Sequence, residues 1–351
     1  MAATTRSILS IIPPYITDAI KKNGSPQQRS RIQEMQELDQ RLRTSRANVQ
    51  RATSTAAQPT PEKARTVQRT IYDTHNTSEL PGDSVRTEGS PEVSDPAVNE
   101  AYDGLGATYK LYQEVYRRNS IDNKGMALKG VVHYGRSYIN AFWDGSYMVF
   151  GDGDGDLFNR FTVAVDVIGH ELTHGVTEHE AHLIYETQPG ALNESISDVF
   201  GILTKQYALK QTAEESDWVV GAGLFTSRVK GQGIRSMKAP GTAYDDPILG
   251  KDPQPDHMRN YVQTFDDNGG VHINSGIPNR AFYLTATKIG GYAWEKAGRI
   301  WYETLRDKKL LPYSTFRQFA KRTLENADKL YGKGPEYRAV QEAWNEVGVS
   351  I

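Results

Sequence analysis

The stretch Val165 to Asp198 reads VDVIGHELTHGVTEHEAHLIYETQPGALNESISD, and His170-Glu171-Leu172-Thr173-His174 within it decides how the rest of the chain is read. An α-helix turns once every 3.6 residues, so His170 and His174 stand one turn apart on one face and their imidazoles can converge on a single ion. Glu171 sits beside them. This is the pattern of a zinc site with a base attached.

A catalytic zinc takes three protein ligands and keeps one position open. The third ligand is sought on a second helical pattern that begins after Gln188-Pro189-Gly190 and carries Asn193-Glu194-Ser195-Ile196-Ser197-Asp198. Glu194 falls twenty residues beyond His174, room for a turn and an antiparallel return helix. One turn further, Asp198 can accept the free ring N–H of a ligand histidine and fix its tautomer, and Asn193 is placed with it in that outer layer. His179 and His182 read as a solvated helix end and loop, because a fourth protein ligand would close the open position.

Working outward, 351 residues accommodate two domains with cores of their own. With 41 basic and 43 acidic residues the net charge is −2, which implies no nucleic-acid or anionic-membrane partner. There is no cysteine and so no disulfide framework, a composition that suits cytosolic proteins and metal-stabilised exported enzymes alike. No apolar run approaches the roughly 18 residues of a membrane span. The start MAATTRSILSIIPPYITDAI has a short apolar patch interrupted by two prolines, unlike an ordinary signal peptide.

Residues 1–50 read as a small unit of their own, in which Gln27 to Gln50 carries Ile32, Met35, Leu38 and Leu42 among polar residues as an amphipathic helix. Residues 51–64 have the small-residue and proline composition of a linker. In 65–183, short strand candidates at 69–73, 130–134, 138–143 and 147–150 surround a helix expected over Asp95 to Arg118 and hand over to the histidine-bearing helix. Residues 184–351 are mostly helical in pattern, with candidates at Asn279–Ile289, Tyr292–Leu305, Thr315–Tyr331 and Glu336–Val347. The fold class is α+β: two lobes, the first mixed α/β and the second mainly helical, with the zinc site in the cleft between them.

Beyond HELTH and the NESISD block, Asn140-Ala141-Phe142-Trp143, Gly151-Asp-Gly-Asp-Gly155 and Asp267-Asn-Gly-Gly-Val-His272-Ile-Asn-Ser-Gly276 occur in this order. Together they resemble the thermolysin family of zinc endopeptidases over about residues 65–351. The short leader with Pro13-Pro14-Tyr15 resembles that of the protealysin group, which carries a brief N-terminal propeptide. The resemblance implies hydrolysis of protein and peptide substrates, with zinc on His170, His174 and Glu194 activating a water and Glu171 acting as general base and then acid. It implies Tyr185 and His272 as oxyanion donors, with Asp267 orienting His272. Substrate would run along Asn140 and Ala141 as an added strand, with Arg235 gripping a carbonyl. Phe158, Val167 and Ile234 match the main specificity pocket, whose apolar lining implies cleavage before bulky hydrophobic residues.

The leader is expected to inhibit by placing Pro13, Pro14 and Tyr15 in the cleft, with processing in the linker releasing a monomeric enzyme. The family is generally secreted; without a recognisable signal, cytoplasmic residence is the alternative. The loop Asp152-Gly-Asp-Gly-Asp156 lacks an acid at the twelfth loop position, Val163, and reads as a tight turn, not a calcium loop. Thermolysin's double-calcium site is expected to be lost, with Lys205 opposite Asp166 as an ion pair. Two other classes remain compatible with the residues: a zinc-dependent binding protein, and a helical module in which HELTH is coincidental. Glu171, Tyr185 and His272 favour an enzyme, since a binder needs no base or oxyanion donors.

Overall fold

The computed structural model describes residues 9–52 and 66–351. A six-stranded sheet fills the first lobe in the order β1 (Leu9–Ser10), β5 (Ala141–Trp143), β6 (Met148–Phe150), β4 (Leu128–Val132), β2 (Arg69–Asp73) and β3 (Asp83–Thr87). Strands β2, β4 and β6 run parallel, whereas β2–β3, β5–β6 and β1–β5 are antiparallel pairs. All four expected strands are present. The polar edge strand β3 has little apolar alternation to announce it.

Helix α3 (Pro96–Lys110) and helix α4 (Val165–Glu180) pack on this sheet. Asp95 caps α3 by accepting the Ala97 N–H at 2.8 Å, with Pro96 following where no N–H is missed. The helix expected to Arg118 changes at Leu111 into a π turn over Leu111–Val115. Helix α5 (Thr187–Leu209) returns across α4, and glycines sit at the crossing. A Cβ on Gly201 would overlap the Asp166 carbonyl, and one on Gly169 would lie 3.0 Å from the Gly201 Cα. Only bare backbone lets the two helices come this close.

Two short ribbons follow, β7 (Val219–Val220) with β8 (Arg235–Ser236) and β9 (Asp245–Asp246) with β10 (Gly250–Lys251). The second lobe then closes with α6 (Asp267–Asn274), α7 (Gly276–Ile289), α8 (Ala297–Leu305), α9 (Phe316–Tyr331) and α10 (Pro335–Glu346). Its core is aromatic: Trp301 stacks on Trp344 at 6.2 Å, with Phe282 and Phe319 edge-on to Trp301.

The leader folds against both lobes. Pro13 and Pro14, which break the apolar patch in the sequence, start helix α1 (Pro14–Asn23) as its cap and first residue. Helix α2 (Pro26–Ala52) follows. Ile16, Ile20, Ile32 and Met35 are buried, each worth about 1.5–3 kcal/mol relative to exposure. Polar ties add position: Gln28 donates to Asp156 at 2.8 Å, the Tyr138 hydroxyl to Asp39 at 2.6 Å, and Asn23 to the Ile248 carbonyl at 3.2 Å. From Thr53 onward the linker expected over 51–64, with its processing site, lies outside the described residues.

One expected contact is replaced by another. Lys205 Nζ lies 2.7 and 2.9 Å from the Asp217 carboxylate and 3.1 Å from the Val219 carbonyl, not in an ion pair with Asp166. Asp166 instead accepts the Gly221 N–H at 2.8 Å. The segment Asp217–Gly221 offers each of them a nearer partner. Burial raises the Asp166 pKa, and the charge on Lys205 opposes that rise. Lys205→Ala removes a half-shielded ion pair and leaves a carbonyl unpaired, so a Tm lower by about 2–6 °C is expected from thermal unfolding. An unchanged Tm would mean that Lys205 holds nothing.

Candidate metal centre

Helix α4 presents His170 and His174 and helix α5 presents Glu194, with the ligand atoms of all three buried and within 4.8 Å of one another. The two Nε2 atoms are 3.0 Å apart. Glu194 brings Oε1 to 3.4 Å from His174 Nε2 and Oε2 to 3.6 Å from His170 Nε2. His170 Nδ1 is 2.8 Å from Asp198, and His174 Nδ1 is 2.8 Å from the Asn193 carbonyl oxygen and 3.0 Å from the Ser197 hydroxyl. The Asp198 and Asn193 acceptors hold the proton on Nδ1, which leaves two Nε2 lone pairs facing each other beside a carboxylate. Without a cation that is repulsive. Two nitrogens about 2.05 Å from a tetrahedral zinc stand about 3.3 Å apart, so the spacing and the donor set both fit that ion. Burial holds the His174 pKa down to about 4, keeping the ring a neutral ligand.

Asp198 serves more than His170. Its carboxylate accepts from Arg235 Nε at 2.8 Å, from a terminal Arg235 nitrogen at 2.7 Å and from Asn279 at 2.8 Å, all fully buried. Burial alone would raise its pKa, but the Arg235 guanidinium and His170 hold it well below the usual carboxylate range. Asn279 and Ser197 have no local sequence signal for these contacts: Asn279 reaches Asp198 because α7 meets α5, and Ser197 reaches His174 because α5 meets α4.

Glu171 is buried beside the three ligands. Its Oε2 accepts the Trp143 N–H at 3.1 Å, and its Oε1 has no hydrogen-bond partner. Burial, and then the charge on Glu194, push its pKa well above the ordinary value. Across the centre the Tyr185 hydroxyl donates to Glu194 and lies 3.2 Å from His272 Nε2. His272 Nδ1 is 2.5 Å from Asp267, and its backbone N–H reaches the same carboxylate at 2.8 Å. The left-handed run Asp267 to Gly270, with φ of 53, 50, 81 and 76°, folds the carboxylate back onto the ring. Burial opposes protonation of His272, but Glu194 and Asp267 outweigh it and the pKa rises to about 9.

The leader crosses this centre. Leu9 and Ser10 pair with Trp143 and Phe142, and the Ile11 N–H continues the ladder to the Ala141 carbonyl at 3.3 Å. The Ile12 N–H donates to the Asn140 side chain at 3.1 Å, and Arg235 donates to the Ile11 carbonyl at 3.2 Å. His272 Nε2 is 3.3 Å from the Ser10 carbonyl. Thus the residues along the cleft strand are Leu9 to Ile12, upstream of the expected Pro13, Pro14 and Tyr15. Proline without an N–H cannot extend the ladder, and here it turns the chain into α1. Pro14 is exposed, and the Tyr15 hydroxyl is buried without a partner.

The remaining candidates fall as follows. Phe158, Val167 and Ile234 are fully buried, and His179 and His182 are exposed. The Asp152–Asp156 loop is a turn closed on itself, Asp154 Oδ1 accepting the N–H groups of Asp156, Leu157 and Phe158 at 3.0, 2.8 and 2.9 Å.

A buried two-histidine, one-glutamate centre with a free carboxylate beside it, set between a mixed sheet and a helical lobe, defines a metallopeptidase. The thermolysin metallopeptidase catalytic domain matches residues 30–178 and the thermolysin metallopeptidase alpha-helical domain matches residues 181–349. The chain belongs to the thermolysin family. It is 51% identical to an "Extracellular metalloprotease" of Pectobacterium carotovorum subsp. carotovorum, over 99% of this chain and 98% of that protein. To "Protease PrtS" of Photorhabdus sp. strain Az29 it is 52% identical, over 97% and 92%. It superimposes on the precursor of protealysin, a metalloproteinase from Serratia proteamaculans, with a TM-score of 0.88 and 53% identity, covering 97% of this chain and 100% of that one.

Asp198→Asn is expected to weaken zinc binding about 10–100-fold, because the amide neither orients His170 as well nor balances Arg235. It should also destabilise the fold by about 3–5 kcal/mol by leaving a buried guanidinium uncompensated. Chelator competition and denaturant unfolding read the two effects separately.

Proposed function

We propose that this chain is the precursor of a zinc-dependent neutral endopeptidase that cleaves on the N-terminal side of bulky apolar residues, with residues 1–50 acting as its own inhibitor. One observation carries the reading: the leader lies in the cleft as an added strand, with a carbonyl at His272 and its next residue, Ile11, gripped by Arg235. That is the path a substrate would take, with the Ser10–Ile11 bond standing where a scissile bond would stand.

When bound, zinc supplies a Lewis acid at the scissile carbonyl and lowers the pKa of the attacking water towards about 7. Glu171 takes the proton from that water through its unpartnered Oε1 and passes it to the leaving amine. The Trp143 N–H holds the other oxygen and keeps the carboxylate aimed. As the carbonyl oxygen gains charge, Tyr185 and a protonated His272 donate to it, with Asp267 fixing the ring. Asn140, Ala141 and Arg235 hold the substrate backbone on the far side of the bond.

The charge of Lys205 is felt at Asp166, where a calcium site would need further acids, so calcium is proposed to add little to stability. The relatives named extracellular support secretion. No helix among the described residues is long and apolar enough to cross a membrane.

Glu171→Gln is expected to keep zinc and lose all but a trace of peptide hydrolysis, and His272→Phe to lose about 10²–10³-fold in kcat. Retained hydrolysis in Glu171→Gln would overturn the assigned base. A peptide of residues 1–50 is expected to inhibit the processed enzyme in trans, and its Ile11→Asp form to inhibit far less. Failure of the parent peptide at high micromolar concentration would overturn the inhibitory role.

A further inference from the structure

Lone exposed apolar side chains are ordinary, but a group of them beside a catalytic centre calls for an occupant. Seven large apolar side chains stand exposed among the described residues, and four of them, Ile184, Phe265, Leu311 and Tyr313, lie on three segments joined at one rim of the metal centre. Phe265 is fully exposed at 104% and Tyr313 at 62%.

The three segments are tied together through Ile184–Gln188. The Ile184 N–H donates to the Pro312 carbonyl at 2.8 Å, and the Phe316 N–H to the Gln188 side chain at 2.8 Å, which fixes the Leu311–Tyr313 loop. On the other side a Cβ built on Gly269 would come within 2.7 Å of Thr187, so the loop carrying Phe265 also rests on this segment. The three segments that carry these side chains are therefore held to one another. Ile184 immediately precedes Tyr185, and Phe265 stands two residues before Asp267, the partner of His272.

The leader gives the direction. Passing back along it from Ile12 to Ser10, the second-lobe partner changes from Arg235 at Ile11 to His272 at Ser10. A substrate extended in the same direction would leave Arg235 behind and have His272 and its neighbours as its second-lobe surroundings. The leader sequence upstream of Ser10 is itself apolar, Ile8-Leu9.

We infer that Ile184, Phe265 and Tyr313 form an apolar subsite for the part of a polypeptide substrate that precedes the scissile bond, favouring aliphatic or aromatic side chains there. Such contacts lie remote from the reacting carbonyl and act through substrate binding. The inference rests on the endopeptidase reading, which a short substrate tests independently.

Three internally quenched peptides decide the matter. They share every residue after the scissile bond and the one before it, and are preceded by Phe-Leu-Phe, Ser-Gly-Ser or Lys-Lys-Lys. The processed, zinc-loaded enzyme should cleave the first with kcat/KM at least about five-fold above the second, chiefly through KM. In the Phe265→Ser, Tyr313→Ser double variant that ratio should fall to within about two-fold with Tm unchanged. Equal rates on the first two peptides, an advantage that survives the double variant, or an advantage that follows lysine would overturn the subsite. Cleavage of a peptide with a single residue before the bond reports hydrolysis itself.

Discussion

The close crossing of α4 and α5 is the constraint on which the rest depends. Bare backbone at Gly169 and Gly201 lets the helices approach until side chains of one reach those of the other, and what meets there is ionisable: His170, Glu171, His174, Glu194 and Asp198, none accessible to water. Such a set cannot be buried without compensation. Asp198 is satisfied by Arg235, Asn279 and a ring N–H, which in turn orients His170. Asn193 does the same for His174. What is left over is two lone pairs and the Glu194 carboxylate, a cavity in charge that a divalent cation fills. The groups that fix the rings therefore determine the metal site as much as the ligands do.

The same logic explains the leader. Strand β5 would otherwise be an open sheet edge at the mouth of the centre, and an open edge invites a strand. In the precursor the strand is the chain's own, held at a distance by α1 and α2 through buried isoleucines and a few polar ties to the first lobe. The groups that bind it, the Asn140 and Arg235 side chains and the Ala141 carbonyl, are on the proposed reading those a substrate would use. On that reading, inhibition and substrate recognition would use one set of hydrogen bonds.

How much of this was legible in the sequence follows from the range of each interaction. The i, i+4 histidines, Glu171 and the NExxSD spacing are local helical patterns, and they located the centre; the apolar strands were equally plain. Contacts between distant segments left no such mark. Arg235 is expected from the resemblance to grip a substrate carbonyl and here donates to the leader's Ile11 carbonyl, while its pairing with Asp198 depends on β8 packing against α5. Asn279, three residues past the Asp267–Gly276 motif, carries no sign of a role of its own and is placed by α7. Lys205 is matched to Asp166 through the ligand positions of the family's double-calcium site, but the loop at Asp217 is not readable as a nearer partner. The prolines misled because Pro14 can begin a helix as readily as break one, and the choice is made by Ile16 and Ile20 finding a surface to bury against.

The claim underlying all of this is that two imidazoles and the Glu194 carboxylate take up one zinc, leaving Glu171 free. X-ray absorption at the zinc edge of the full-length Glu171→Gln variant tests it most directly. The account predicts one zinc per chain with two nitrogen ligands and oxygen completing the shell, in a spectrum matching that of the unsubstituted protein. A spectrum altered by the Glu171 substitution, or a shell with a third histidine, would contradict it.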